Sequence, residues 1–151
     1  MTDLRTDAQG ASWRSALVYV AWAQALVATL GSLFFSEVMR FTPCVLCWYQ
    51  RIFMYPLLVI LTVGVLDRDP RIRRYVLPLS VLGLLVSVFH NLLFYGVIPE
   101  EVTQCRLGVS CTIRYFDFAG FIDIPQMSLV AFTVITVAML LYRPKESDDV
   151  Q

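Results

Sequence analysis

The chain has 151 residues, 58% of them hydrophobic and 16% charged, with a formal net charge of zero and a mean hydropathy of +0.65. Soluble domains run at about 45–50% apolar and about 25% charged, so the composition points to a membrane protein, and the balanced charge leaves no footprint for a nucleic-acid partner. The length fits one membrane domain over 1–151, with no internal repeat or low-complexity tract to divide it.

A spanning helix needs about 20 mostly apolar residues, because the hydrocarbon core is about 30 Å thick and each residue rises about 1.5 Å. Ahead of the first such run, Arg5 and Arg14 are balanced by Asp3 and Asp7. The run itself, about 16–35, is broken only by Gln24 and small polar residues. It exceeds the roughly 7–15 apolar residues of a cleaved secretory signal and therefore reads as a retained span.

The first outer loop, 36–47, ends in Thr42-Pro43-Cys44-Val45-Leu46-Cys47. Thr42 is expected to cap the next helix, with Pro43 at its first position. Both cysteines then fall in the opening turns, three residues apart and on one face. A helix N-terminus carries partial positive charge and free N–H groups, which favour a thiolate. Arg51, four residues beyond Cys47, adds a full positive charge on the same face. A stapling cysteine gains nothing from this setting, whereas a reactive one does. Arg51 also has a plainer reading, as an arginine snorkelling from a helix end to the headgroups.

The second run, about 48–66, leads into a 67–74 loop holding Arg68, Arg71, Arg73 and Arg74. The third, about 75–95, contains His90 and Asn91 near its end. A lone intramembrane histidine can simply bond a neighbouring helix. Ionisable groups inside spans are nevertheless costly and mark function by default, and histidine relays protons near neutral pH. The second outer loop, 96–123, carries Cys105 and Cys111, then Tyr115, Phe116, Phe118, Phe121 and Ile122 interleaved with Asp117 and Asp123. Aromatic rings favour the membrane boundary, so this stretch is expected to lie along the surface and hold the 105/111 pair near the 44/47 pair. The fourth run, about 124–142, is followed by Arg143 and Lys145.

Four spans place both termini on one side. Arg5, Arg14, the four loop arginines, Arg143 and Lys145 outweigh Arg40, Arg106 and Arg114, with Arg51 at a helix end, on the other, so the termini are assigned to the cytoplasm. All four cysteines then lie on the outer face, where disulfides form and persist. An even count in two local pairs reads as redox chemistry or loop stapling. Tetrahedral zinc is the rival use of four cysteines, but a C-x5-C half-site is atypical for it, and no metal is expected.

The run Cys44-Val45-Leu46-Cys47-Trp48-Tyr49-Gln50-Arg51, opening the second of four spans, resembles the DsbB/BdbC family of bacterial disulfide bond formation proteins. A second cysteine pair in the second outer loop extends the resemblance over essentially the whole chain. The close C-x5-C pair and the Phe121-Ile122-Asp123-Ile124-Pro125 entry to the fourth span look like the family's short-loop, BdbC-like branch. The vitamin K epoxide reductase family has similar chemistry, but its C-x-x-C lies in the last span of its catalytic bundle.

The resemblance implies an all-α integral membrane protein, a four-transmembrane-helix bundle with thiol:quinone oxidoreductase activity, in the bacterial inner (cytoplasmic) membrane. It implies that a thioredoxin-fold (DsbA/BdbD-like) disulfide oxidase forms a mixed disulfide with Cys105 and that Cys111 exchanges with Cys44. Cys47 would face the quinone, ubiquinone or menaquinone, with Arg51 and His90 lining its ring. The competing expectation is a non-enzymatic membrane protein whose outer disulfides only stabilise its loops.

Overall fold

In hydrocarbon a backbone must satisfy its own polar groups, so each apolar run closes into a helix. The computed structural model describes residues 3–99, 110–111 and 123–142, with side chains in the first helix given at 13 and from 15 onward. The described chain is all-helical: α1 (Asp3–Leu33), α2 (Val45–Asp67), α3 (Ile72–Phe94) and α4 (Ile124–Leu141). The segments Ser15–Val38, Val45–Asp67, Ile72–Phe94 and Ile124–Leu141 are long and apolar enough to cross a membrane. Helix ends and apolar cores need not coincide. α2 accordingly starts ahead of the apolar run at 48, and α3 starts within the arginine-rich loop.

Each helix packs on two neighbours, α1 on α2, α2 on α3, α3 on α4 and α4 on α1, which closes a four-helix bundle. The α2–α3 turn forces those two antiparallel. Arg68 takes a left-handed conformation (φ 51°) and its N–H returns to the Gly64 carbonyl, which also accepts from Asp69 N–H at 3.1 Å. This is the ordinary way to end a helix and reverse the chain. The opposite end of the bundle gathers the C-termini of α1 and α3 and the N-termini of α2 and α4.

α1 does not end cleanly there. It continues into a π turn, Phe34–Val38, in which Met39 N–H bonds Phe34 O at 3.1 Å. Such wide turns recur at functional sites. At its root the Ser32 carbonyl accepts the Ser36 hydroxyl at 3.2 Å and the Arg51 guanidinium at 3.0 Å. α4 begins by a different device: Gln126 reaches back to accept from Asp123 N–H at 3.4 Å, and Pro125 sits in the first turn.

The buried core is built from Ala21 and Ala25 of α1, Leu57 and Leu61 of α2, Val76 of α3, and Phe132, Ile135 and Met139 of α4. Small residues let helices approach closely in membranes. At Gly83 on α3 a Cβ would stand 2.1 Å from the Phe132 ring, so α4's largest core side chain occupies the space that glycine leaves. Polar bonds join the same pairs. Trp22 Nε1 donates to Thr62 Oγ1 at 3.0 Å between α1 and α2, and Ser87 donates to Ser128 at 3.3 Å between α3 and α4. Val20, Leu30, Val59, Val63, Leu85 and Val137 point away from the bundle and are exposed, as lipid-facing side chains should be.

Candidate active site

Cys44, not Thr42, caps α2. It is extended (φ −70°, ψ 169°), and its Sγ accepts from Cys47 N–H at 3.3 Å. The sulfur thus does the work expected of the Thr42 hydroxyl. The helix starts at Val45, two residues later than a Pro43 start, and Thr42 instead faces a cavity. Cys44 and Cys47 are free thiols with their sulfurs 2.8 Å apart. Cys44 lies just outside the second span, and its thiol is held down at about 4 from an ordinary value of 9.0. The main cause is the Cys47 thiol bonding to it. Burial pushes the other way, and His90 adds a further pull downward.

His90 comes to this sulfur from α3. It is buried, with Nε2 3.8 Å from Cys44 Sγ and 3.3 Å from the Cys111 carbonyl oxygen, and Nδ1 3.2 Å from the Gln50 amide. Asn91, the next residue, donates to Ser87 O within α3 at 2.8 Å and anchors this end of α3 to α4 by donating to Pro125 O at 2.9 Å. Cys44 and Cys111 share one buried apolar cluster with Leu46 and Leu93, and Cys47 and Phe89 pack against it. Cys111 is disulfide-bonded. Cys105 and the aromatic segment 115–122 lie outside the described residues.

Arg51 turns inward across the bundle. Besides bonding Ser32 O it lies over the Trp48 ring at 5.5 Å, a cation–π distance. It forms part of the wall of a cavity of about 190 Å³ between α1, α2 and α4, where Cys44, Cys47, His90 and Cys111 form the head. Further down, Ala28, Met54, Ala131 and Phe132 make the walls apolar. Tyr55, one turn beyond Arg51, also lines it, and its buried hydroxyl has no hydrogen-bond partner among the described residues. Val27 of α1 and Met127 of α4 both line the cavity and are exposed on the outside, at 65% and 48%, so the cavity opens sideways between those helices.

An apolar slot with a cationic guanidinium, a thiol pair and an orphaned hydroxyl suits a flat ring bearing carbonyl oxygens. The donors would bond the oxygens, and the orphaned hydroxyl would gain a partner. The same head also brings the Sγ atoms of Cys44 and Cys47 and a ring nitrogen of His90 within 4.8 Å of one another, a donor set that soft metal ions accept.

Of the residues singled out in the sequence, Cys44, Cys47, Cys111, Arg51 and His90 meet at this one cavity. Gln50, Tyr55 and the Ser32 carbonyl were not foreseen. Gln50 carried a signal, an amide three residues after Cys47 at the start of a span, but nothing local named its partner 40 residues away.

The family model described as "Disulfide bond formation protein DsbB" matches residues 14–142. The chain is 42% identical over 140 residues to "Disulfide bond formation protein C" of Bacillus subtilis, covering 89% of this chain and 98% of that one. It is 46% identical over 126 residues to the "Probable disulfide formation protein" of Oceanobacillus iheyensis, covering 83% and 87% of the two chains. A protein of the same name from Metapseudomonas resinovorans is 39% identical over 135 residues, covering 89% and 92%. No solved structure matches the chain.

Proposed function

The chain belongs to the DsbB family of disulfide bond formation proteins, and from that premise we propose that it reoxidises a thioredoxin-fold disulfide oxidase at the expense of a membrane quinone. Membership makes it a multi-pass membrane oxidoreductase acting in disulfide formation. The finer reading places it in the bacterial cytoplasmic membrane, with termini in the cytoplasm and the cysteines on the outer face. Partner thiols reduce the Cys105/Cys111 pair, Cys111 exchanges with Cys44, and Cys47 faces the quinone.

The observation that carries this reading is the convergence of Cys44, Cys47, Cys111, His90 and Arg51 on one cavity head. Cys44 and Cys111 already share a buried cluster, so exchange between the pairs needs little chain movement. Attack of Cys111 on Cys44 expels Cys47, and when Cys105 then attacks Cys111 of the resulting Cys44–Cys111 disulfide, Cys44, held as a thiolate, is a good leaving group. The quinone, when bound, supplies a sink for two electrons and two protons. Arg51 and Tyr55 are placed to hold its oxygens, and the apolar walls exclude water from the thiols. A strongly oxidising partner has a potential of about −120 mV, and about 30 mV of a two-electron couple corresponds to about 1.4 kcal/mol. Glutathione-like couples lie well below that potential, so a respiratory acceptor is needed.

A purely structural role for the cysteines does not account for a depressed thiol at a helix cap beside a buried histidine. The test is anaerobic quinone reduction by purified protein supplied with a reduced thioredoxin-fold oxidase. Activity that vanishes in Cys47→Ala is expected. Folded protein that binds the oxidase yet reduces neither ubiquinone nor menaquinone analogues would sink the proposal.

A further inference from the structure

His90 is the sole histidine of the chain, and its two ring nitrogens face groups of opposite kind. Nε2 lies 3.3 Å from the Cys111 carbonyl oxygen and 3.8 Å from Cys44 Sγ. A carbonyl oxygen only accepts, so a hydrogen bond there requires the proton on Nε2. Nδ1 lies 3.2 Å from Gln50 Nε2. An amide nitrogen only donates, so Nδ1 of the neutral ring must be bare. The two ends agree on one tautomer, and the Cys111 carbonyl, which cannot donate, fixes it. Both side chains are buried, His90 at 1% exposure and Gln50 at 7%, so water does not offer either nitrogen an easy alternative.

From this juxtaposition we propose that Gln50 is a positioning residue that fixes His90 as the Nε2–H tautomer, keeping it a hydrogen-bond donor at the junction of the two cysteine pairs. The lone pair of Nδ1 is engaged by Gln50, and Nε2 has none to offer. His90 therefore supports negative charge on Cys44 rather than taking a proton from its thiol. Consider a Cys44–Cys111 disulfide attacked at Cys111 by a thiolate, that of Cys105. A new S–S bond forms at Cys111, the old one breaks, and its electron pair stays on Cys44, which the Nε2–H faces. That step rests on the relay proposed above, whereas the tautomer does not.

The same arrangement bears on metals. A histidine that ligates through Nε2 needs that nitrogen bare, and it normally passes Nδ1–H to a carboxylate, carbonyl or water. Gln50 presents a donor there instead. Capture of zinc by Cys44, Cys47 and His90 would set two N–H groups against each other and strip the Cys111 carbonyl of its donor. Gln50 thus guards the reduced thiol pair against thiophilic cations.

The experiment is ¹⁵N NMR of the full chain, reduced, in detergent, at mildly alkaline pH, with label in histidine only, so that one ring is seen. In the unmodified protein Nε2 should be protonated and Nδ1 imine-like. In Gln50→Met, Nε2 should stay protonated while Nδ1 moves downfield, towards an imine nitrogen with no donor. In Gln50→Glu the accept-only carboxylate should put a proton on Nδ1. Added zinc should then bind that variant about tenfold or more tighter, the scale of outer-shell effects on metal affinity.

An unmodified protein protonated at Nδ1 alone would overturn the proposal without any variant. So would an Nδ1 signal unmoved in Gln50→Met, or zinc bound as tightly by the unmodified protein as by Gln50→Glu. Absence of quinone reduction with the tautomer as assigned would count against the relay and leave the role of Gln50 standing.

Discussion

Cys44 both closes the non-helical stretch ahead of α2 and carries charge, and one atom does both jobs. Its sulfur takes the Cys47 amide as a cap and faces His90 Nε2. A depressed acid is ionised above its own value and loses its charge as pH falls through it. The reduced folded state therefore loses this support as pH drops through about 4, and holds all of it only above the ordinary thiol value of 9.0. With Cys105 and Cys111 replaced by serine, thiolate absorbance should persist well into the acid range. Cys47→Ala should move the midpoint up further than His90→Phe, because the Cys47 thiol is the larger cause. A midpoint in the usual thiol range would contradict the cap geometry. The sequence showed the pair and its helix-end setting. It did not show which residue caps, because Thr42 and Cys44 both offer an acceptor and only the chain's path decides between them.

At the scale of elements, α3 and α4 are keyed by one glycine and one phenylalanine. A methyl at Gly83 meets the Phe132 ring at 2.1 Å, and both backbones are fixed by the Ser87–Ser128 and Asn91–Pro125 bonds nearby. Gly83→Ala should destabilise the bundle by about 1–3 kcal/mol, the usual range for an overpacked core. Adding Phe132→Leu should recover part of that loss, since the two changes share one space. Equal losses in the single and double variants, measured by denaturant titration in micelles, would show that the contact is not the cause. The helices themselves were legible from runs of apolar residues. The key was not: Gly83 reads like any span glycine, and its partner is 49 positions away. The π turn at Phe34–Val38 was hidden too, because nothing local announces the Arg51 guanidinium that takes the Ser32 carbonyl just ahead of it.

The molecule as a whole is polarised along its axis. Arg68, Arg71, Arg73 and Arg74 sit around the α2–α3 turn, while the cysteine cavity lies at the other end of helices 23 residues long, about 35 Å away. In a variant free of native cysteine, Asp69→Cys should resist an impermeant maleimide on intact spheroplasts and react once the membrane is opened. Reaction from outside would reverse the orientation proposed here. The bundle architecture was readable from four spans, yet the order of helices around the ring was not. Spans that are apolar nearly all round carry little record of which side meets a neighbour.

The sideways mouth between Val27 and Met127 changes the units in which this protein would meet the quinone proposed as its acceptor. A ligand entering there comes from the bilayer and not from water, so what matters is its mole fraction among lipids. Encounter becomes a search in two dimensions, set by lateral diffusion and by how crowded the membrane is. Diluting proteoliposomes with inert lipid at constant total quinone should slow turnover in proportion, whereas adding buffer should change nothing. A rate that followed bulk volume instead would mean that the acceptor reaches the thiols by some other door.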